Sequence, residues 1–173
     1  MASFESARLC VRPLRAGDEA LYCALYTHPG VMAHIAEPLA PGAASRQFAA
    51  ACRLNLDPAC VRQRCAVTER WSGAGVGLLA LLGEPADPGN VELGVMLLPT
   101  AQGRGYAREL NDAVLDRAFG PGGWGFRRIW ARHAVGHRAA ADALAASGFE
   151  PAQSRGHHAT VAMTVLQWRS RNG

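Results

Sequence analysis

The chain has 173 residues, 49% of them hydrophobic and 18% charged, which is enough apolar material to bury a core without disulfides or metals. Its net charge of +4 comes from arginine alone because the sequence has no lysine, so a pyridoxal-phosphate Schiff base and the P-loop of nucleotidases are excluded. The five cysteines contain no C-x-x-C pair, which argues against a disulfide framework and a zinc site. We expect one domain spanning residues 1–173 and no bound metal.

Charge distribution and hydropathy also limit the partners. The arginines do not cluster in one stripe and aromatic residues are only 7% of the chain, so we do not expect nucleic acid to be a partner. The first nine residues include Glu5 and Arg8, and no stretch is long and apolar enough to span a bilayer, so we expect neither a signal peptide nor a membrane partner. These features predict a cytoplasmic protein and leave open whether it forms a homodimer.

Hydrophobic periodicity predicts a mixed α/β domain in the order strand, two helices, three antiparallel strands, helix, strand, helix and strand. The predicted elements, in chain order, cover residues 7–14, 18–27, 43–54, 60–71, 75–82, 91–98, 107–118, 128–133, 138–147 and 159–168. Asp18 is the expected N-cap of the first helix. Residues 31–42 are expected to be irregular with about one helical turn, and residues 84–90 to form a turn.

The strand at residues 91–98 has the clearest alternation. One face carries the apolar residues Val91, Leu93, Val95 and Leu97. The other face carries Glu92, Gly94, Met96 and Leu98. After this strand the chain enters a helix through a short turn that contains Gln102, Gly103, Arg104, Gly105, Tyr106 and Ala107.

This turn has the features of an anion site. Backbone N–H groups at a helix start point outward without partners, and the helix dipole adds partial positive charge, which favours a phosphate group. Gly103 and Gly105 let the backbone approach an anion without a Cβ in the way, and Arg104 can add charge at the rim. A dinucleotide fingerprint would need glycine or alanine in place of Arg108, so that alternative is weakened, while an ordinary strand-to-helix turn stays open.

The turn resembles the acetyl-CoA-binding motif of the GNAT superfamily of N-acetyltransferases, in which Gln or Arg precedes Gly by three residues and Gly or Ala follows two residues later. Gln102, Gly105 and Ala107 match this motif in register. Residues 8–14 and the Ser-Gly-Phe at 147–149 are similar to the branch that contains the RimJ- and RimL-type ribosomal-protein N-acetyltransferases. The resemblance implies a GNAT-like, mostly antiparallel twisted sheet, flanked by about four helices and splayed at the strand that binds acetyl-CoA.

The resemblance also implies roles for individual residues. Backbone groups of Val95, Met96 and Leu97 would pair with the pantetheine arm of acetyl-CoA like an added strand, and an N–H there would polarise the thioester carbonyl. The turn from Gly103 to Ala107 would hold the pyrophosphate. The family usually has an asparagine at a pantetheine contact where this chain has His137.

Acyl transfer requires a neutral amine, because an aliphatic ammonium with a pKa of about 10 is mostly protonated at neutral pH. Glu92 is our candidate base, directly or through water, because alternation puts it beside Gly94, where a ligand can come close. The alternative is that Glu92 only satisfies a neighbouring polar group. Ala140 and Leu144 stand where the family has hydroxyl side chains, so His137 or solvent would protonate the leaving thiolate.

The expected acceptor is a primary amine, either a protein N-terminus or a small molecule such as an antibiotic or polyamine. Acceptor choice is assigned to residues 28–45, where His34 and Glu37 are candidates, and to a loop at 153–158; ordinary exposed loop residues are the alternative. His157 and His158 face opposite ways on a strand and do not share a metal. A non-catalytic acyl-CoA-binding sensor is the alternative function, favoured by the absence of the asparagine and serine that the family has at two positions.

Overall fold

The computed structural model describes residues 3–57, 60, 62–155 and 157–172. Within these residues the chain forms one sheet of eight strands, in the order β1-β2-β3-β4-β5-β6-β8-β7. The strands are Phe4–Glu5 (β1), Leu9–Pro13 (β2), Arg62–Glu69 (β3), Gly75–Glu84 (β4), Asp87–Leu97 (β5), Arg128–Ala134 (β6), Glu150–Arg155 (β7) and His158–Thr164 (β8). Neighbouring strands are antiparallel except β5 and β6, which are parallel.

Six helices flank the sheet in the described part of the chain, where the sequence predicts four helices and one further helical turn. They are Glu19–Tyr26 (α1), Pro29–Met32 (α2), Pro41–Leu56 (α3), Tyr106–Phe119 (α4), Arg138–Ala146 (α5) and Val165–Asn172 (α6). The helical turn predicted within residues 31–42 is α2, which lies slightly earlier in the chain. Among the described residues no helix has both the length and the apolar character to cross a bilayer.

Two apolar clusters cover the two faces of the sheet. One contains Val91 and Leu93 of β5 together with residues of α4 such as Leu110. The other contains residues of α1 and α3 such as Phe48, and Met96 of β5 packs against it. The alternation predicted for residues 91–98 is therefore confirmed, because successive side chains of a strand point to opposite faces.

The sheet is splayed between its two parallel strands. β5 and β6 pair only where Asn90, Val91 and Glu92 lie opposite the first residues of β6. Beyond that point β5 continues to Leu97 along β4, while β6 continues to Ala134 along β8. A wedge therefore opens between the two strands, and the predicted splay in a mixed, mostly antiparallel sheet is confirmed.

Three predictions of local structure are wrong. Residues 84–90 are not one long turn, because β4 and β5 form a hairpin in which Glu84 pairs with Asp87 across a two-residue connection. The last strand, predicted to reach residue 168, ends at Thr164. The residues predicted to form a loop at 153–158 belong to the hairpin between β7 and β8, in which Gly156 lies outside the described residues. Val61, inside the predicted strand at 60–71, also lies outside them.

The end of the last strand has a local cause. The hydroxyl of Thr164 accepts a hydrogen bond from the Gln167 N–H at 3.3 Å, and Oε1 of Gln167 accepts one from the Thr164 N–H at 2.8 Å. This reciprocal pair is a capping box, in which a Thr and a Gln three residues later satisfy each other's backbone N–H groups. It starts α6 where apolar alternation alone predicts that the strand continues.

Asp18 lies where the first helix is predicted to start, but its carboxylate does not cap that helix. Its two oxygens accept hydrogen bonds from the Arg12 guanidinium at 2.7 and 2.8 Å, and one also accepts the Arg15 N–H at 2.7 Å. Burial opposes ionisation of Asp18, but these hydrogen bonds prevail and the pKa of the carboxyl is lowered. The carboxylate thus joins β2 to the start of α1.

Candidate active site

The end of β5 presents one backbone edge to the splay. The N–H of Leu98 donates to the C=O of Val76 at 2.9 Å, so backbone groups at Leu98 point toward β4. Because backbone groups of successive strand residues point to opposite edges, those of Met96 also point toward β4. Those of Val95 and Leu97 point into the splay.

This geometry corrects one part of the predicted site. Val95 and Leu97 offer N–H and C=O groups to a molecule in the splay, but Met96 does not, because its backbone groups point to the same edge as those of Leu98, toward β4. The C=O of Leu97 already accepts a hydrogen bond from Nε2 of Gln102 at 3.1 Å. Gln102 therefore links the open edge of β5 to the turn that follows.

The turn between β5 and α4 depends on two glycines. After a 3-10 turn at Pro99–Ala101, Gly103 and Gly105 have φ angles of 71° and 78°. This left-handed region is unfavourable for residues with a Cβ. Gly105 is the N-cap residue of α4, so the first N–H groups of that helix lie at an exposed glycine turn and have no intrahelical acceptors.

Side chains from distant strands hold this turn in place. Arg104 forms an ion pair with Glu69 at 2.8 Å, and the Tyr106 hydroxyl donates to the same carboxylate at 2.7 Å. Arg8 donates to the C=O of Arg104 at 3.0 Å and pairs with Glu109 at 2.6 Å. The positive charge that Arg104 is predicted to add at the edge of the anion site is therefore paired with the Glu69 carboxylate.

Tyr106 is the centre of this arrangement. Its side chain is buried, and the guanidinium groups of Arg8 and Arg104 lie 4.6 and 4.8 Å from the centre of its ring. The hydrogen bond from Tyr106 is the largest cause of the lowered pKa of Glu69, and the same bond raises the pKa of Tyr106. Tyr106 thus supports the turn as a packed neutral phenol between two cationic groups.

Glu92 lies at the point where the splay begins. It is opposite Trp130 of β6, and its carboxylate accepts hydrogen bonds from Arg132 at 3.0 and 3.4 Å. Its side chain is 20% exposed, whereas that of Arg132 is 55% exposed. The carboxylate is therefore oriented by a partner on the neighbouring strand and is still accessible to solvent.

His137 and His34 meet beyond the splayed end of β6. His137 is the N-cap residue of α5, and its ring stacks on that of His34 with centroids 4.3 Å apart. Burial lowers the pKa of His137, and the nearby His34 and His133 lower it further. The stack joins the segment after α2 to the segment between β6 and α5.

Residues 8–150 match the family model for the acetyltransferase (GNAT) domain. The chain belongs to the GNAT acetyltransferase family. No curated protein sequence matches this GNAT protein.

Solved structures share the fold of this GNAT protein. The spermidine N-acetyltransferase from Vibrio cholerae, in complex with CoA and spermine, superimposes with a TM-score of 0.77 at 20% identity, covering 93% of this chain and 98% of that one. A GNAT-family acetyltransferase from Bacillus anthracis superimposes with a TM-score of 0.80 at 15% identity, covering 95% of this chain and 99% of that one. An acetyltransferase from Agrobacterium tumefaciens superimposes with a TM-score of 0.76 at 19% identity, covering 94% of each chain.

The structure also locates the positions where this GNAT protein departs from its family pattern. Leu144 is buried in the apolar cluster beneath α5, and Ala140 is in the first turn of that helix, so neither offers a hydroxyl. His157 and His158 are exposed at the β7–β8 hairpin, and the described residues contain no group of three or more metal-binding side chains suited to a metal ion.

The contacts that three residues make in the site are not predicted by the sequence. Arg8, Glu69 and Arg132 are ordinary charged residues near strand ends or on strands, and each acts on a partner at least 35 residues away along the chain. Alternation predicts which face a strand residue occupies, but the identity of its ion-pair partner depends on which strands become neighbours.

Proposed function

We propose that this GNAT protein transfers an acetyl group from acetyl-CoA to a primary amine by direct attack on the thioester. The observation that carries the proposal is the junction of two backbone surfaces: the open edge at Val95 and Leu97, and the glycine turn that follows it. The first suits the amide groups of pantetheine, and the second suits a pyrophosphate.

The residues present fit this cosubstrate. Gly103 has no atom within 4 Å of the place where a Cβ would be, so the backbone is open on that side. Gln102 is exposed beside Leu97, and the remaining predicted contacts, from Arg104 to Ala107, would come from backbone groups of the turn. His137, at the start of α5, would contact the pantetheine arm.

Glu92 is proposed as the base. The Glu92 carboxylate takes a proton from the ammonium, directly or through water, and so produces the neutral amine. The amine nitrogen then forms a bond to the carbonyl carbon while the carbon–sulfur bond breaks, and its second proton passes to solvent. Arg132 holds that carboxylate in one orientation at the start of the splay. An N–H of β5 directed into the splay would stabilise the charge that develops on the carbonyl oxygen.

The sulfur leaves as a thiolate and needs a proton. The position of the family tyrosine is filled by the buried Leu144, so α5 supplies no hydroxyl there. His137 is the side-chain candidate from the sequence, but burial lowers its pKa and so favours the neutral ring, and we assign this proton to solvent.

The acceptor is proposed to be a protein N-terminus or a small-molecule amine. The RimJ/RimL resemblance favours an N-terminus, and the likeness to a Vibrio enzyme whose complex contains spermine raises a polyamine as the second candidate. A non-catalytic acyl-CoA sensor is not favoured, because the matching family and the structures described above are acetyltransferases.

The proposal extends to the domain organisation, the compartment and the assembly of the protein. Residues 1–173 would form a single acetyltransferase domain. All five cysteines are free thiols, which suits a reducing compartment such as the cytoplasm. A homodimer is proposed as the assembly, and light scattering across a concentration series would test it.

The direct test follows CoA thiol release from acetyl-CoA over a panel of small amines and N-terminal peptides. Time-dependent release that requires an amine, with one acetyl group added per thiol by mass spectrometry, is the expected result. A protein that binds CoA in calorimetry but releases no thiol with any acceptor would be the sensor instead. A protein without affinity for CoA would contradict both functions.

A further inference from the structure

A small surface at the end of the splay is formed by two chain segments. The first follows α2 and includes His34 and Ile35, and the second lies between β6 and α5 and includes Val135 and His137. The stacked imidazoles of His34 and His137, 4.3 Å apart, join the two segments. We call these four residues the mouth.

Two of the four residues of the mouth are apolar and exposed. Ile35 is 50% exposed and Val135 is 64% exposed, and each lies within two residues of one of the stacked histidines. Large apolar side chains that stay exposed next to a cleft are typical of a surface that is covered when a ligand binds. The imidazole ring of His137 adds to that surface, because its lowered pKa favours the uncharged ring.

The two segments that form the mouth carry little negative charge. Glu37 is the one carboxylate in residues 28–45, and residues 130–137 contain none. Glu92 faces the Arg132 guanidinium, so its charge is offset within the site. Binding a polycation requires several carboxylates spaced along its length, because each ammonium has to recover the hydration it loses.

We propose that the acceptor is a monoamine whose amino group is attached to an uncharged apolar or aromatic body, and that Ile35 and Val135 of the mouth contact that body. This inference rests on the acetyl-transfer function proposed above. It narrows the acceptor class and disfavours polyamines for this chain.

The test compares two acceptors with a similar number of heavy atoms, 2-phenylethylamine and spermidine. Their kcat/KM values are measured by CoA thiol release, and their dissociation constants for the CoA-bound protein by calorimetry. We expect 2-phenylethylamine to be preferred by at least about tenfold in both quantities, which corresponds to about 1.4 kcal/mol. Equal values, or a preference for spermidine, would overturn the inference.

A pair of variants tests the location. Ile35→Asp combined with Val135→Asp adds two carboxylates to the mouth and is expected to move the preference toward spermidine by at least about tenfold. Leu166→Asp on α6, where the side chain is 74% exposed, is the matched control and should leave the preference unchanged. If the control shifts it as much as the double variant does, the mouth is not the acceptor surface.

Failure of this inference can be told apart from failure of the proposed function. Binding of CoA without acetylation of 2-phenylethylamine would overturn the acceptor class and leave the cosubstrate site intact. Absence of CoA binding in calorimetry would remove the acetyl-transfer function itself, and the inference with it.

Discussion

Arg8 and Arg104 are 96 residues apart in sequence, yet Nη1 of Arg8 donates a hydrogen bond to the backbone C=O of Arg104 at 3.0 Å. The same guanidinium pairs with Glu109 in the first turn of α4. One side chain next to β2 therefore touches both the glycine turn and the helix that the turn begins. The shape of the proposed pyrophosphate site depends on a residue outside the motif.

Arg8→Ala is expected to weaken CoA binding about tenfold. The variant removes the charge-assisted hydrogen bond to the turn and the guanidinium that packs over the ring of Tyr106. Isothermal calorimetry measures the dissociation constant. Arg53→Ala, which removes an exposed arginine from α3, is the control and should bind CoA like the unchanged protein. Equal affinities for the Arg8 variant and the control would show that the turn holds its shape without Arg8.

Gly103→Ala tests the anion site separately from stability. Gly103 and Gly73 have φ angles of 71° and 70°, and neither has an atom within 4 Å of an added Cβ. Alanine at either position should cost about 1–2 kcal/mol of folding free energy, measured by urea unfolding. Only Gly103→Ala should also lower CoA affinity, because its Cβ enters the space proposed for the pyrophosphate. A similar loss of affinity in both variants would contradict the assignment.

Glu92→Gln keeps the shape of the side chain and removes its ability to accept a proton. We expect kcat to fall by about 10²–10⁴, with the dissociation constant for CoA unchanged. Rates measured from pH 6 to pH 10 should recover partly at high pH, where the free amine is abundant without a base. Glu19→Gln, at an exposed position of α1, is the matched control. Normal turnover of the Glu92 variant across this range would end its role as base.

The Arg12–Asp18 pair predicts a pH dependence of stability. Because the folded pKa of Asp18 is lowered below its usual value of 3.8, its contribution is fully present above that value and is lost as pH falls through the folded pKa. Asp18→Asn should reduce the free energy of unfolding by about 2–3 kcal/mol at pH 7, from lost hydrogen bonds to a charged group.

Urea unfolding at pH 7 and near pH 3 measures this dependence for Asp18. The difference between the unchanged protein and the variant should shrink at the lower pH. Asp142→Asn, at an exposed position of α5, should change stability by less than about 0.5 kcal/mol at either pH. A difference that stays constant with pH would assign the loss to packing rather than to charge.

Most of the elements follow from short-range patterns. The alternation at 91–98 predicts β5, and the glycine turn predicts the start of α4, because each depends on residues within a few positions of one another. One error, the predicted length of the last strand, also has a local origin. The Thr164 and Gln167 spacing of a capping box is present in the sequence, and the box overrides the apolar alternation that predicts a longer strand.

The arrangement of the site depends on packing. The pairing of Glu92 with Arg132 and the stacking of His34 on His137 join residues 40 and 103 positions apart. Periodicity predicts that Glu92 lies on the strand face opposite the apolar residues. Only the parallel register of β5 and β6 decides which cationic side chain forms an ion pair with it. Hydrophobic patterns act over a few residues, whereas such contacts exist only once the strands are neighbours, so local sequence defines the elements and tertiary structure defines their partners.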